Sequence, residues 1–216
     1  YATLSYCWGT TMPPGSVTTH DNIGKRLKRL EASSLPQTLR DAFRVTRQLG
    51  IRYLWVDALC IIQDDPNDWA TEAANMASIY DNCLVSIAVE LGSDCTAGFL
   101  RHTPEQQDFC TPLSERGWTY QERYLSPRIL HFIGAQIVWE CRVAKLGLQS
   151  VKTVNREKLR EHWYYDIVPE YSRRKLSRKS DKLPAITGIA KSFRQRSEDV
   201  YFAGLWLGDI SYSLSW

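Results

Sequence analysis

The sequence predicts an α/β fold: a mostly parallel sheet flanked by helices, with an added β-hairpin and a helical C-terminal extension. Three observations carry that reading. Helical spacing of Leu39, Ala42, Phe43, Thr46 and Leu49 stops at Gly50 and passes directly into the apolar run Tyr53-Leu-Trp-Val-Asp57, the helix-to-strand half of a βαβ unit. The order repeats downstream, where a helical stretch ending at Tyr80 leads into Cys83-Leu-Val-Ser-Ile-Ala-Val89. Finally, Arg128 to Phe132 and Gln136 to Cys141 flank Ile133-Gly134-Ala135, the pattern of a hairpin. The 216 residues suit one large domain with an appendage, divided here into residues 1–142 and an extension, 143–216, packed on it.

Taken in order, Tyr1 to Trp8 is an apolar run closed by Gly9 and reads as a first strand presenting Ser5, Tyr6 and Trp8 at its C-terminal end. Thr10 to His20 reads as a loop, and Asn22 to Leu30 as a short basic helix. Ser34-Leu-Pro-Gln37 has the capping-box pattern, so Ser34 is expected to cap the next helix. Tyr53 to Tyr80 holds the densest chemistry: an apolar strand ending in Asp57, a polar loop from Gln63 to Asp68, and a helix capped by Asp65 or Asn67. Trp69, Ala73, Met76 and Tyr80 form the apolar face of that helix, with Glu72 at its edge. Glu115 to Leu125 reads as a helix with Trp118, Gln121, Glu122 and Leu125 along one side. In the tail, Ile186, Ile189, Ala190 and Phe193 lie on one helix face, and Tyr201 to Trp206 is an apolar segment suited to dock on the sheet.

Composition removes several classes. Hydrophobic residues at 44% and charged residues at 24% are ordinary globular values. A net charge of +3 does not argue for nucleic acid, and the basic run Arg173, Arg174, Lys175, Arg178, Lys179, Lys182 reads as a solvated loop before a phosphate-binding patch. No apolar run approaches the roughly 20 residues that span a bilayer, so no membrane partner is expected. The six cysteines lack any CxxC pair, which favours a reduced, cytoplasmic setting and buried thiols at Cys60, Cys83 and Cys141. No zinc-ligand spacing is present among the four histidines. The chain opens at Tyr1 inside a strand-like run, which reads as a piece of a longer protein.

Strand ends in an open α/β sheet hold the ligand site, and this places the candidates. Glu72, flanked by Trp69, Met76 and Ile79, is the first choice for a partly desolvated acid, against a surface ion pair with Arg116 or Arg123. Asp57 ends an apolar strand and needs a partner, either structural or a ligand. Arg116-Gly117-Trp118 with Gln121-Glu122 puts a cation, a close-approach glycine and a ring within one turn, suited to a phosphate or a base, or to a salt-bridged helix start. Thiol–imidazole pairs, Cys60 with His131 or Cys7 with His20, rank below inert buried cysteines. Dehydrogenase, P-loop and α/β-hydrolase signatures are absent.

LSYCWG at Leu4 to Gly9, LPQTLRDAF with GIRYLWVDALCIIQDDPNDWATEAANMASIY between Leu35 and Tyr80, and RGWTYQERYLSPRILHF at Arg116 to Phe132 resemble the three signature blocks of the heterokaryon incompatibility (HET) domain of fungi. The resemblance implies an intracellular module that triggers cell death after non-self recognition, self-associating and coupled to an upstream receptor or sensor. It also implies a remote likeness to TIR domains, hence a TIR/flavodoxin-like sheet and cleavage of NAD at the nicotinamide glycosidic bond. On that likeness no cofactor is held tightly and NAD is the substrate. Glu72 would be the catalytic acid, with Ser5, Tyr6, Trp8, Gly9, Asp57, Trp69, Arg116 and Trp118 around the dinucleotide. Trp69 precedes Glu72 by three residues, where the plant-type TIR pattern has four. The alternative it leaves open is a non-enzymatic module that kills by assembling and recruiting partners.

Overall fold

The computed structural model describes residues 1–10, 12–100, 111–142, 161–197 and 199–210. Five strands form one sheet: β1 (Ala2–Ser5), β2 (Leu54–Trp55), β3 (Val85–Val89), β4 (Arg128–Ile133) and β5 (Gln136–Cys141). Their order is β2-β1-β3-β4-β5, with the first four parallel and β5 antiparallel to β4. This is the doubly wound order of an open α/β sheet, in which the chain reverses direction beside its first strand and leaves a crevice at the carboxyl ends. The expected hairpin is β4–β5, turning at Gly134 with φ 59.

The helices are α1 (His20–Arg26), α2 (Gln37–Gln48), α3 (Asp57–Cys60), α4 (Pro66–Asp81) and α5 (Gly117–Leu125). Beyond them a π-helical turn, His162–Ile167, runs into α6 (Val168–Ser172), followed by α7 (Pro184–Ser197). A small hairpin, β6 (Tyr201–Phe202) and β7 (Leu205–Trp206), closes the described chain. Among the described residues, no helix is long and apolar enough to cross a membrane.

Strand alternation sorts the sheet into two unlike faces. Leu4, Tyr6, Ile87, Val89 and Phe132 pack with Leu39, Ala42 and Val45 of α2. The opposite face carries Thr3, Ser5, Ser86, Ala88 and His131, small or polar side chains that are all buried. Against that face lie α4 and α5, and α7 packs on both. Met76, Tyr80, Leu125, Trp163, Ile167, Ile189 and Phe193 form one core there, so Ile186, Ile189, Ala190 and Phe193 face inward as their spacing predicts. Trp206 joins this core, edge-on to Trp163 at 5.4 Å.

Three local expectations are corrected. The strand over Tyr53 to Asp57 is only two residues long and half-buried, with Tyr53 65% exposed, because β2 lies at the sheet edge; Asp57 opens α3 rather than ending a strand. Ser34 does not cap α2: it donates to the carbonyl of Glu31 at 2.7 Å, and Pro36 holds the cap position, with the Thr38 amide satisfied by the Cys95 carbonyl at 3.0 Å. Cys60 is exposed, at the end of α3. For α4, Asp65 is the cap, accepting from the amides of Asn67 and Asp68 at 2.9 and 3.1 Å.

A tight helix crossing lies at Gly188 of α7. A Cβ there would sit 2.4 Å from both Ala77 Cβ of α4 and Gln121 Oε1 of α5, and the Gly188 amide donates to that same Oε1 at 2.9 Å. Gly188→Ala should therefore cost about 1–3 kcal/mol, the usual scale of overpacking in a tight core. Urea denaturation measures it, and an unchanged midpoint would contradict the crossing described.

Candidate functional site

At the carboxyl ends of β1 and β2 a cavity of about 410 Å³ opens between α3, α4, α5 and the segment 175–181. Each wall comes from a different part of the chain. Trp8 enters from the extension of β1, Asp57 from the start of α3, Trp69, Ala73 and Met76 from α4, and Arg116, Trp118 and Glu122 from α5. The volume is that of a small-molecule site, and its lining divides about evenly between aromatic or apolar side chains and polar or charged ones.

Glu122 is the chemical centre. It is 6% exposed, and Ser5 Oγ donates to its carboxyl at 2.5 Å across the join between β1 and α5. The Tyr80 hydroxyl lies beside it while donating to the Leu4 carbonyl at 3.1 Å. Burial lifts the Glu122 carboxyl to about 7, against the opposing pull of the Ser5 hydrogen bond and the Arg116 charge. Asp57 is also raised from its ordinary value by burial, opposed by Arg116 and by hydrogen bonds from the Ala58 amide at 2.7 Å and Trp8 Nε1 at 3.0 Å. Two acids shifted upward by burial thus share this part of the cavity with the Arg116 guanidinium, itself held by the Tyr6 carbonyl.

The indole rings are fixed by polar tethers as well as by packing. Trp118 Nε1 donates to Asp181 at 3.1 Å, and its ring meets Trp69 edge-on at 6.4 Å. Trp8 is tethered to Asp57, so each of these two indoles is bonded to an acid of the wall.

Of the residues expected from sequence, Trp8, Asp57, Trp69, Arg116 and Trp118 line this cavity together, and Ser5 reaches it through Glu122. Tyr6 does not reach it: its ring is buried on the α2 side of the sheet, and only its carbonyl contributes, through Arg116. Gly9 is a turn residue with φ 88, where a Cβ would meet Asp94 Cβ at 2.6 Å. Glu72 is half-buried on the flank of α4, while Trp69, Ala73 and Met76 of the same helix line the cavity without it. Glu122, which the sequence groups with Arg116 and Trp118 but does not single out as the acid, lines the cavity, and a signal for it was present. Trp118 precedes it by four residues, the aromatic-to-acid interval that Trp69 and Glu72 lack.

Behind Ser5, on the same face of the sheet, lies a second polar cluster. His131 bonds Glu90 through Nδ1 at 2.6 Å and Glu140 through Nε2 at 3.2 Å, so it is not partnered with Cys60. Thr111 donates to Glu90 at 2.5 Å, and Arg123 donates twice to Glu140, at 3.2 and 2.8 Å. Burial opposes the charged imidazole, yet the hydrogen bonds it donates to the two carboxylates win and His131 is raised. Burial likewise opposes the Glu90 carboxylate, and its bonds to His131 and Thr111 hold it below the ordinary value. The five described cysteines are unpaired, and no group of three His, Cys, Asp or Glu residues among the described residues could hold a metal ion.

This arrangement is that of an open α/β domain with a buried, protonatable acid in a cavity of nucleotide size at the strand ends. The family model described as Heterokaryon incompatibility protein (HET) matches residues 1–109, and the chain belongs to that family. No curated protein and no solved structure gives a significant match.

Two pH effects follow. Glu122 has a folded-state value above its ordinary 4.5, so stability is lost as pH rises from there through about 7. Glu122→Gln should match the wild type at pH 5 and exceed it at pH 8 by about 1–3 kcal/mol, because each pH unit between the folded and unfolded midpoints corresponds to roughly 1.4 kcal/mol; equal stabilities at pH 8 would contradict the burial of a charge. For His131, raised above its ordinary 6.5, the stabilisation is present below that value and lost as pH rises through the folded one; for Glu90 it is present above 4.5 and lost on acidification. Glu140→Gln should therefore cost about 1–3 kcal/mol at pH 6 and less at pH 9, where the imidazole no longer gains from the carboxylate while Arg123 still does. A penalty that grows with pH would count against the network.

Proposed function

We propose that this domain is a cell-death effector that binds NAD in the cavity between Trp8 and Trp118 and hydrolyses the bond between nicotinamide and ribose. One observation carries the proposal: a buried acid with a value near neutrality, bonded to the strand-end Ser5 and set four residues after a tryptophan, inside a cavity able to take a nucleotide. The remote likeness to TIR domains and membership of the HET family point the same way.

The chemistry needs little of the protein. In NAD the nicotinamide nitrogen is already cationic, so the C1′–N bond breaks with its electron pair going to that nitrogen and nicotinamide leaves neutral. No general acid is required, unlike an ordinary glycoside. The ribose carbon becomes an oxocarbenium ion, water adds to C1′, and one proton is released, giving ADP-ribose. Ionised Glu122 accepts hydrogen bonds from the ribose hydroxyls and stabilises the positive charge that develops beside it. A value near 7 also suits it to take the proton of the attacking water. Trp8, Trp69 and Trp118 offer ring faces and edges to the bases, and Arg116 a charge for a phosphate.

A second reading, that the domain kills by assembling rather than by catalysis, is favoured by the outer edge strand. In β5, Ile137, Val138 and Trp139 are 62%, 43% and 55% exposed. Exposed apolar edges are templates for pairing.

Purified protein incubated with NAD should release nicotinamide. Glu122→Gln should lower the rate by at least about 100-fold, within the range for a lost acid–base group, and Glu72→Gln should leave it within a few-fold. Loss of activity in Glu72→Gln alone would return the role to Glu72, the acid expected from sequence. No release by the wild type at high protein concentration would overturn the glycohydrolase reading, and killing by a folded Glu122→Gln protein would favour assembly.

A further inference from the structure

The basic run from Arg173 to Lys182 exposes all its cations but Arg174, as expected of a solvated loop, yet it is anchored at both ends. Its first part is clamped against the start of α5: the Lys175 amide donates to the Glu115 carbonyl at 2.6 Å and the Gly117 amide to the Lys175 carbonyl at 2.7 Å. The approach is close enough that a Cβ on Gly117 would lie 2.4 Å from Leu176 Cδ2. Next to this clamp, the guanidinium of Arg174, 6% exposed, lies over the Tyr120 ring at 4.7 Å and pairs with Glu170 at 3.0 Å. At the far end Asp181, 8% exposed, accepts from Trp118. Between the two fixed ends, Ser177 and Arg178 line the cavity.

Arg178 differs from the three cations that precede it in the run in being unspent, and unlike Lys179 it lines the cavity. Arg173 and Arg174 pair with Glu170, and Lys175 pairs with Glu115 at 2.6 Å. Neither Ser177 nor Arg178 has a side-chain hydrogen bond or ion pair with another described residue. Across the cavity Asp57 and Glu122 lie beside Arg116, whose charge they offset, so that wall suits hydroxyls. The rim formed by Arg178 and Ser177 has the opposite character.

We propose that this segment is the phosphate-recognising arm of the cavity: Arg178, with Ser177 beside it, binds the pyrophosphate of a nucleotide whose ribose hydroxyls face Glu122. The inference rests on the nucleotide reading of the cavity and extends it to a pyrophosphate-bearing ligand. It assigns the polarity of binding, with sugar inward and phosphates at the rim. A planar guanidinium gripping phosphate oxygens in pairs, with a hydroxyl donor nearby, is the usual chemistry of such recognition.

Isothermal titration of the whole chain with ADP and with adenosine tests this without any turnover. The wild type should bind ADP at least about tenfold more tightly than adenosine, with the difference shrinking as salt is raised. Arg178→Ala should narrow that ratio to less than about threefold while leaving adenosine affinity and the melting temperature unchanged, and Arg178→Lys should recover part of it. Equal wild-type affinities for the two probes, binding of neither at millimolar concentration, or ADP affinity indifferent to Arg178→Ala would each overturn the proposal. The glycohydrolase reading fails separately: ADP discrimination that depends on Arg178, with no nicotinamide released from NAD, keeps the phosphate arm and removes the reaction.

Discussion

The hydrogen bond from Ser5 to Glu122 is the contact on which the site depends. It joins the end of the interior strand β1 to the middle of α5, and it can form only because this face of the sheet is built from small or polar side chains. A leucine in place of Ser5 would fill the space that the carboxyl needs, as Leu4 does on the other face. The bond also settles the electrostatics. A fully desolvated carboxylate is expensive, and the Ser5 and Tyr80 hydroxyls with the Arg116 charge do not repay it, so Glu122 is held near the point where it exchanges its proton at neutral pH.

Much of the architecture can be read from local pattern, because local pattern is what produced it. Gly50 after a helix, Asp65 before Pro66, and Gly134 between two apolar runs each punctuate the chain for a steric or hydrogen-bonding reason that acts over a few residues. The same reasoning brought Asp57, Trp69, Arg116 and Trp118 to one place, since strand ends and helix starts converge in a doubly wound sheet. It put Glu72 rather than Glu122 at the cavity for one reason. Helical phase says which residues share a side, but not which side faces a cavity. In α5 the buried side holds Gln121, Glu122 and Leu125 because α7 and the segment 175–181, more than fifty residues later, pack over it. In α4 the cavity takes the Trp69, Ala73, Met76 stripe and leaves Glu72 on its flank.

The C-terminal part is therefore part of the site. The family match ends at residue 109, yet Arg116, Trp118, Glu122, Leu176 and Asp181 all line the cavity, and two of them come from beyond residue 142. Gly117 and Gly188 are the residues that make this possible: each sits where a side chain would force the later segment off the helix it closes. The interaction that tethers Trp118 to Asp181 then couples the position of an aromatic wall to the segment that carries Arg178.

The most direct test is to titrate the Glu122 carboxyl itself. Carbon-13 labelling of glutamate side chains, with Glu122→Gln to assign the resonance, gives its midpoint in the folded protein. A value near 7, moving further upward in Ser5→Ala where the stabilising donor is gone, is the predicted result. A midpoint at about 4.3, the value of a solvated glutamate, would mean that Glu122 is not the buried acid on which the site is built.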